Sequence, residues 1–166
     1  LFGGNEHTIE FNEIHDVCQN TDNAGAIYSG RDWTERGTVI RHNFIHHLGS
    51  GTHIGNQGVY LDDMFSGTRV FGNVFYEMGR AFMFGGGRHN VFRNNIAVDC
   101  QVSIHVDARG LGWAQYHVKP PDGTLVQRLK DVPYRKQPWR DRYPQLVNIM
   151  NEKPGAPVGN VITCNV

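Results

Sequence analysis

The stretch that decides the fold runs from Gly58 to Arg109 and reads GVYLDDMFSGTRVFGNVFYEMGRAFMFGGGRHNVFRNNIAVDCQVSIHVDAR. It contains two copies of a short pattern, in which an aliphatic residue is followed by Asn three positions later and by an aliphatic or aromatic residue two positions after that. The pattern can be aligned along the chain on Asn12, Asn43, Asn73 and Asn94. A second run follows each copy: GAIYSGRD, GVYLDDMF, RAFMFGGGR and VSIHVDARG. Short strands that recur every 20 to 31 residues predict an all-β solenoid in which the repeats stack on one another.

Alternation within the second run predicts which side chains face the core, because successive residues of a strand point to opposite faces. We expect strands near residues 25 to 30, 58 to 63, 81 to 86 and 102 to 108. The interior set is expected to be Ala26, Val59, Phe82 and Ile104, followed by Tyr28, Leu61, Phe84 and Val106. The outer set then contains Ile27, Tyr60, Met83 and His105, followed by Ser29, Asp62, Gly85 and Asp107. A slip of one residue would bury Asp62 and Asp107, so the alternation favours one register.

The repeated asparagines are expected to form a ladder. Each side-chain amide of Asn12, Asn43, Asn73 and Asn94 would bond the equivalent amide in the neighbouring coil, at the turn between two strands. The alternative, a polar stripe that binds a ligand, is less favoured, because the same residue recurs at the same turn.

Composition fits a single domain and says little more about the fold or the function. The chain has 166 residues, 39% of them hydrophobic, and a formal net charge of zero. This neutrality leaves no long-range field to attract a polyanion, so no nucleic-acid partner is expected. No apolar run approaches the ~20 residues needed to span a bilayer. The three cysteines lack the spacing of a zinc site or of a disulfide framework.

The repeats cover residues 1–110, and residues 111–157 are a different kind of sequence. This segment contains all seven prolines, and two stretches in it, 124–131 and 139–150, have apolar residues at helical spacing. We expect an inserted, partly helical excursion that forms one wall of a cleft, followed by a returning coil at 158–166. The chain starts within a repeat and ends on GNVITCNV, the start of another. The expectation is therefore a piece of a longer β-helix, or ends that are covered by a capping partner.

The repeated coils resemble the right-handed parallel β-helix of the pectate-lyase-like superfamily. More narrowly, the runs NTDNAGAIYSGRDW, VYLDD and HVDARGLGW are similar to bacterial secreted β-helix proteins near the fucosidase and xylanase glycoside hydrolases. The resemblance implies a carbohydrate-active protein, a polysaccharide or oligosaccharide substrate, and a secreted or periplasmic location. It does not transfer catalytic residues position by position, and the fold also hosts lyases, epimerases and non-enzymatic adhesins.

The candidate catalytic residues are outward acids of the second strand run. Asp62 and Asp107 share one column two rungs apart, a backbone spacing of roughly 9.6 Å. Side chains that lean toward each other would reach the ~6.5 to 9.5 Å of an inverting glycosidase. Asp107 is the expected base and Asp62 the expected acid. Asp63 is an alternative acid, although a carboxylate bonded to turn amides is the more ordinary interpretation.

The substrate is expected to lie over Gly85 and Gly86, where the absence of side chains would leave a trough for a sugar ring. Residues around the trough are expected to bind it: Tyr60, His105, Arg31, Arg88, Arg109, Trp33 and Trp113.

Two other functions remain open. A polysaccharide lyase would use Arg31, Arg88 or Arg109 as its base, because residues 1 to 118 contain no lysine. A non-catalytic carbohydrate-binding or structural β-helix would tolerate loss of both acids. No cofactor is required by the hydrolase. Calcium at Asp62 and Asp63 is possible, because hard oxygen ligands cluster there, and zinc is disfavoured, because the histidines are too far apart to share an ion.

Overall fold

The computed structural model describes residues 1–49 and 55–166. The described residues form eleven strands and two short α-helices. The strands are β1 (Thr8–Glu10), β2 (Glu13–His15), β3 (Gly25–Gly30), β4 (Val39–Arg41), β5 (Phe44–His46), β6 (Gln57–Asp62), β7 (Arg69–Phe71), β8 (Val74–Gly85), β9 (Val91–Arg93), β10 (Ile96–Asp107) and β11 (Val161–Thr163).

The strands form two parallel sheets, as expected for a right-handed β-helix. The first sheet has the order β1-β4-β7-β9-β11. The second has the order β2-β5-β8-β6-β3, with β10 paired to β8. Strands β8 and β10 are twelve residues long and span the whole width of the second sheet, whereas the earlier coils cover the same width with two short strands each. The all-β solenoid predicted from the repeats is confirmed.

The core is a stack of equivalent side chains from successive coils. Ile40 and Val70 pair in register, Val70 pairs with Phe92, and all three are at most 1% exposed. The ring of Phe92 also stacks on Phe82, with centroids 4.3 Å apart, so the two sheets meet through aromatic contact. Each such side chain contributes roughly 1.5–3 kcal/mol by leaving water. Equivalent residues of successive coils therefore stack in register and form one continuous core.

The register of β3 differs by one residue from the predicted alignment. Ile27, not Ala26, pairs with Val59, and Ser29, not Tyr28, pairs with Leu61. Tyr28 therefore lies in the outward column beside Tyr60. The alternation itself holds for β6 and β8, where Leu61 and Phe84 are fully buried.

The asparagine ladder is present, but its fourth member is Asn95 rather than Asn94. Amide-to-amide hydrogen bonds run from Asn12 to Asn43 at 2.9 Å, on to Asn73 at 2.9 Å, and on to Asn95 at 3.0 Å. Asn165 continues the ladder at 3.1 Å. Asn94 is exposed and adopts a left-handed backbone conformation with φ 51°. The ladder satisfies buried backbone groups at the same turn of every coil.

The segment after β10 carries the helices. It contains α1 (Thr124–Lys130) and α2 (Trp139–Arg142), with short 3₁₀ turns at Arg109–Leu111, Gln115–Val118, Pro144–Leu146 and Ile149–Asn151. Apolar residues of this segment pack on Trp33 and Met64, which follow β3 and β6 and are fully buried. The chain then returns to the solenoid, where β11 pairs with β9. None of the described helices is long and apolar enough to cross a membrane.

Candidate functional site

A polar groove of about 270 Å³ lies on the outer face of the second sheet, at the ends of β3 and β6. Tyr60, Asp62 and Arg80 line it from the sheet, and Arg109 and Trp113 line it from the segment that follows β10. Its remaining lining residues are Asn23, Arg31, Gly55, Gln57, Asp63 and Met83.

Arg109 lies at the centre of this groove and binds three carboxylates. Its Nε and Nη2 donate to Asp107 at 2.9 and 2.7 Å. Its Nη1 donates to Asp62 and, at 3.1 Å, to Asp63. Burial alone would lower the pKa of Arg109, but the hydrogen bonds and charge of Asp107 raise it. The guanidinium therefore stays charged and joins the predicted acids to one another.

Asp62 and Asp63 are also bound by other donors. The hydroxyl of Tyr28 donates to Asp62 at 2.8 Å, and the backbone N–H of Asp63 donates to Asp62 at 2.8 Å. Arg31 donates to Asp63 at 2.6 Å. The expectation that Asp63 is held by turn amides is thus wrong, because two arginine side chains hold it.

The predicted trough over Gly85 is filled by protein. A Cβ atom on Gly85 would come within 2.9 Å of Arg109 Cζ, and one on Gly86 within 3.0 Å of Arg109 Cγ. The glycines therefore make room for the arginine side chain, and the expected seat for a sugar ring is wrong.

The two predicted catalytic acids lie where the register places them, with Gly85 between them, but neither is free. Asp107 pairs with Gly85 in the neighbouring strand, and Asp62 follows Leu61, the partner of Phe84. The Asp62 side chain is only 9% exposed, whereas that of Asp107 is 26% exposed. Every carboxylate in the groove is thus bound to a guanidinium, and the general-acid and general-base roles of Asp62, Asp107 and Asp63 stay predictions.

Three of the predicted substrate-binding side chains do not line the groove: Trp33, Arg88 and His105. Trp33 is fully buried and packs against the helical segment, and Arg88 is 1% exposed and donates to the Glu152 carbonyl at 3.0 Å. His105 lies beside the groove, where it pairs with Met83.

Arg31 and Arg109 do reach the groove, but ion pairs with Asp63 and Asp107 raise the pKa of each guanidinium. Arg31 and Arg109 are therefore unsuited to act as the base of a lyase, because a base must be deprotonated before it can accept a proton. Burial lowers the pKa of Arg88, but this residue does not line the groove.

The aromatic residues of the groove form its walls. Tyr60 lies in the outward column, as predicted, but is only 2% exposed, because Tyr28 packs edge-on against it with centroids 5.2 Å apart. Its hydroxyl donates to Asn23 at 3.1 Å, and burial raises the pKa of Tyr60 to about 12. Trp113 is 67% exposed, and its ring lies 5.3 Å from Arg109 Cζ. One rigid phenol and one exposed indole therefore face the same space.

Among the basic side chains that the structure describes in and beside the groove, Arg80 and His105 have no acid partner. Arg80 Nη1 lies 3.2 Å from the sulfur of Met83, and its Nε is buried without a partner. His105 pairs with Met83 in the next column and makes no hydrogen bond within the described residues. Burial and the charge of Arg80 lower the pKa of His105, so the imidazole is neutral. Strict alternation assigns Arg80 to the side of Phe82 and Phe84, so the sequence pattern did not point to it.

The structure offers little support for a metal at this site. Within residues 1–49 and 55–166, no group of three or more His, Cys, Asp or Glu side chains is arranged to hold a metal ion. Calcium at Asp62 and Asp63 stays a prediction, and the charges of Arg31 and Arg109 oppose it by occupying the carboxylate oxygens.

Comparison with known proteins agrees with the architecture. Residues 1–116 match the family described as the right handed beta helix region. The chain belongs to this family, and its parallel coils agree with that description. Comparison with curated proteins and with solved structures finds no significant match.

Proposed function

We propose that the chain is a carbohydrate-active β-helix protein that binds an acidic polysaccharide in the groove and cleaves it by β-elimination. The observation that carries this proposal is that Met83 lies between two unpartnered groups: Arg80, a guanidinium of the groove without a carboxylate partner, contacts its sulfur, and His105, a neutral imidazole without a hydrogen bond, pairs with it from the neighbouring strand. All other charged groups of the groove already compensate one another.

Arg80 supplies the contact for a uronate carboxylate. Its unpaired Nε is buried beside the groove, where a bound carboxylate would complete its hydrogen bonding. A planar guanidinium binds a carboxylate with two parallel N–H···O bonds, which fixes the orientation of the sugar as well as its charge. Neutralising that carboxylate also makes the adjacent C–H more acidic, which elimination requires.

His105 and Tyr60 supply the proton transfers. In the elimination, neutral His105 removes the proton from the carbon next to the carboxylate, the glycosidic C–O bond breaks, and a carbon–carbon double bond forms. The departing oxygen takes a proton from the Tyr60 hydroxyl, which a pKa of about 12 keeps protonated at neutral pH. No oxidant or metal is needed for this balance. The Trp113 indole, 67% exposed, offers an apolar face on which a neighbouring sugar ring can stack.

Hydrolysis is the second candidate, and one observation favours it. Asp62 and Asp107 lie on either side of one guanidinium, and Asp107 keeps a side-chain exposure of 26%. A substrate that displaced Arg109 from between them would leave two carboxyl groups facing one another, as an inverting glycosidase requires.

The experiment compares polysaccharides that contain uronate with neutral ones. Elimination creates an unsaturated uronate that absorbs in the ultraviolet, whereas hydrolysis creates reducing ends without that absorbance. We expect ultraviolet absorbance with uronate polymers, a loss of about 10² or more in turnover for His105→Gln, and loss of binding for Arg80→Gln. Arg93→Gln, an exposed arginine outside the groove, is the matched control.

Three results would contradict elimination. Reducing ends from a neutral glycan, lost in Asp107→Asn, would establish hydrolysis instead. Saturable binding without any product would establish a binding protein. Full activity of His105→Gln on a uronate polymer would remove the imidazole from the mechanism.

A further inference from the structure

A second cavity lies outside the groove, where the turns before β4, β7 and β9 meet the helical segment. Its volume is about 240 Å³. The coil turns contribute Arg36 and His89, β7 contributes Arg69, and the helical segment contributes Arg142 and Tyr143. The cavity shares no lining residue with the groove.

Arg36 is the buried centre of this cavity. It is 3% exposed, and its Nη1 and Nη2 donate to the Trp33 carbonyl at 3.3 Å and to His89 Nδ1 at 3.1 Å. No carboxylate lies within ion-pairing distance of it in the described part of the chain. Burial, helped by the neighbouring charge of Arg88, lowers the pKa of Arg36 to about 10, which still leaves the group charged at neutral pH. A buried charge without a counter-charge is costly, which is why such groups are normally paired.

The groups around Arg36 do not supply the missing negative charge. His89 accepts from Arg36 through Nδ1, and burial together with Arg36 and Arg88 lowers its pKa to about 4, so the ring is neutral. Glu6 is the one carboxylate of the lining, and Arg142 and Tyr143 both donate to it. Arg36, Arg69 and Arg142 against Glu6 leave a net charge of +2 at the cavity.

Arg69 forms the exposed side of the cavity. Its guanidinium lies 5.7 Å from the Phe71 ring, and it has no acid partner among the described residues. Arg93, one rung further on, lies 5.4 Å from the same ring but does not line the cavity. Both arginines are therefore exposed and lie near the same aromatic ring, but only Arg69 lines the cavity.

From these observations we infer that the cavity binds an oxoanion group, a sulfate, phosphate or carboxylate, between buried Arg36 and exposed Arg69. The anion completes the charge balance of the two guanidinium groups. The site is separate from the groove and does not depend on the function proposed there.

The test is calorimetric titration of the full chain with sodium sulfate, sodium phosphate and sodium acetate at constant ionic strength in chloride. We expect saturable binding of at least one anion, and the order of affinities identifies the class. Arg69→Gln is expected to weaken binding about tenfold, because one charge-assisted contact is lost. Arg93→Gln is expected to bind as the parent does.

A second measurement covers the buried arginine, since Arg36→Met could fail to fold. Nuclear magnetic resonance titration of His89 in the parent chain should show its pKa rising when the anion is bound, because the anion offsets the charge of Arg36 and Arg88. Absence of saturable binding by all three anions would overturn the inference. Equal affinities of Arg69→Gln and Arg93→Gln, or an unchanged His89 titration, would also overturn it.

Discussion

Arg109 compensates three carboxylates at once, and its removal should therefore be costly. Arg109→Gln would leave Asp62 and Asp63, which are 6% and 2% exposed, with one cation between them. We expect the free energy of unfolding to fall by ~3–5 kcal/mol, as for other broken buried ion pairs. Urea unfolding measures this change. Arg93→Gln should stay within about 0.5 kcal/mol of the parent, and an Arg109→Gln protein as stable as that control would refute the role of Arg109.

His89 should make the fold sensitive to mild acid. Its pKa is about 4 in the folded chain, below the ordinary value of 6.5, so the unfolded chain binds more protons between these two values. The contribution of neutral His89 to the free energy of unfolding is fully present above about pH 6.5. It is lost as the pH falls toward about 4 and amounts to roughly 3 kcal/mol in total.

The comparison variant is His89→Gln, whose side-chain oxygen can still accept from Arg36. Its urea midpoint should depend less on pH than that of the parent between pH 7 and pH 4.5, in chloride buffers. Parallel pH profiles of the two proteins would show that His89 does not titrate as the structure indicates.

The asparagine ladder is the element that holds one coil to the next. Asn95 is 1% exposed and bonds Asn165, Asn73 and two backbone carbonyls. Asn95→Ala removes these bonds and leaves buried groups unsatisfied, at ~1–3 kcal/mol for each such group. We expect Asn95→Ala to lose at least about 2 kcal/mol of stability in urea unfolding.

Asn94→Gly is the matched control for the ladder. Asn94 is exposed, and its φ of 51° suits glycine, so this change should cost well under about 1 kcal/mol. If both variants lost the same stability, the ladder would not be the source of the difference.

The same turn shows how far the sequence predicts the fold. The repeat identifies a parallel solenoid, but Phe92-Asn95-Ala97 differs from the pattern only by an aromatic first residue, so it competes with Val91-Asn94-Ile96. Pairing decides between them, because Phe92 is in register with Val70. The one-residue shift at Ile27 has the same origin, since neighbouring apolar residues both satisfy a period of two.

The groove was harder to predict than the coils. Alternation placed Asp62, Asp107 and Tyr60 on the outward face, but it contains no information about which side chain returns to cover them. Arg109 lies two residues after Asp107, the last residue of β10, and its reach back over Gly85 depends on the turn at Arg109–Leu111. A long side chain after a strand can take several directions, so tertiary contacts determine the pairing.

At the scale of the molecule, the helical segment and the coils depend on one another through Trp33. Trp33 is fully buried among Leu125, Leu146 and other apolar residues of that segment. Trp33→Ala should weaken the packing of the helical segment on the coils by ~3–5 kcal/mol of free energy. Hydrogen exchange should show the protection of α1 amides falling by about a hundredfold or more, while amides of the ladder coils change less.

Trp113→Ala provides the comparison, since Trp113 is 67% exposed. We expect it to weaken glycan binding without altering the exchange of α1. Unchanged protection of α1 in Trp33→Ala would mean that the helical segment is held by its polar contacts, such as that between Arg128 and Asp32 at 3.1 Å.

The helical segment leaves the solenoid and returns to it at one point. Gly110 and Gly155 touch backbone to backbone, since a Cβ on Gly155 would lie 2.2 Å from the Gly110 carbonyl oxygen. Asn73 and Asn95 are 22 residues apart in the chain, and Asn95 and Asn165 are 70 apart. Both pairs nevertheless form the same ladder hydrogen bond, at 3.0 and 3.1 Å. The longer loop adds only about 1 kcal/mol of closure entropy. The coils thus form a frame that accepts a long insertion between two rungs, and a chain of this kind can acquire a new recognition surface by changing the inserted segment, provided that the segment still covers Trp33 and Met64.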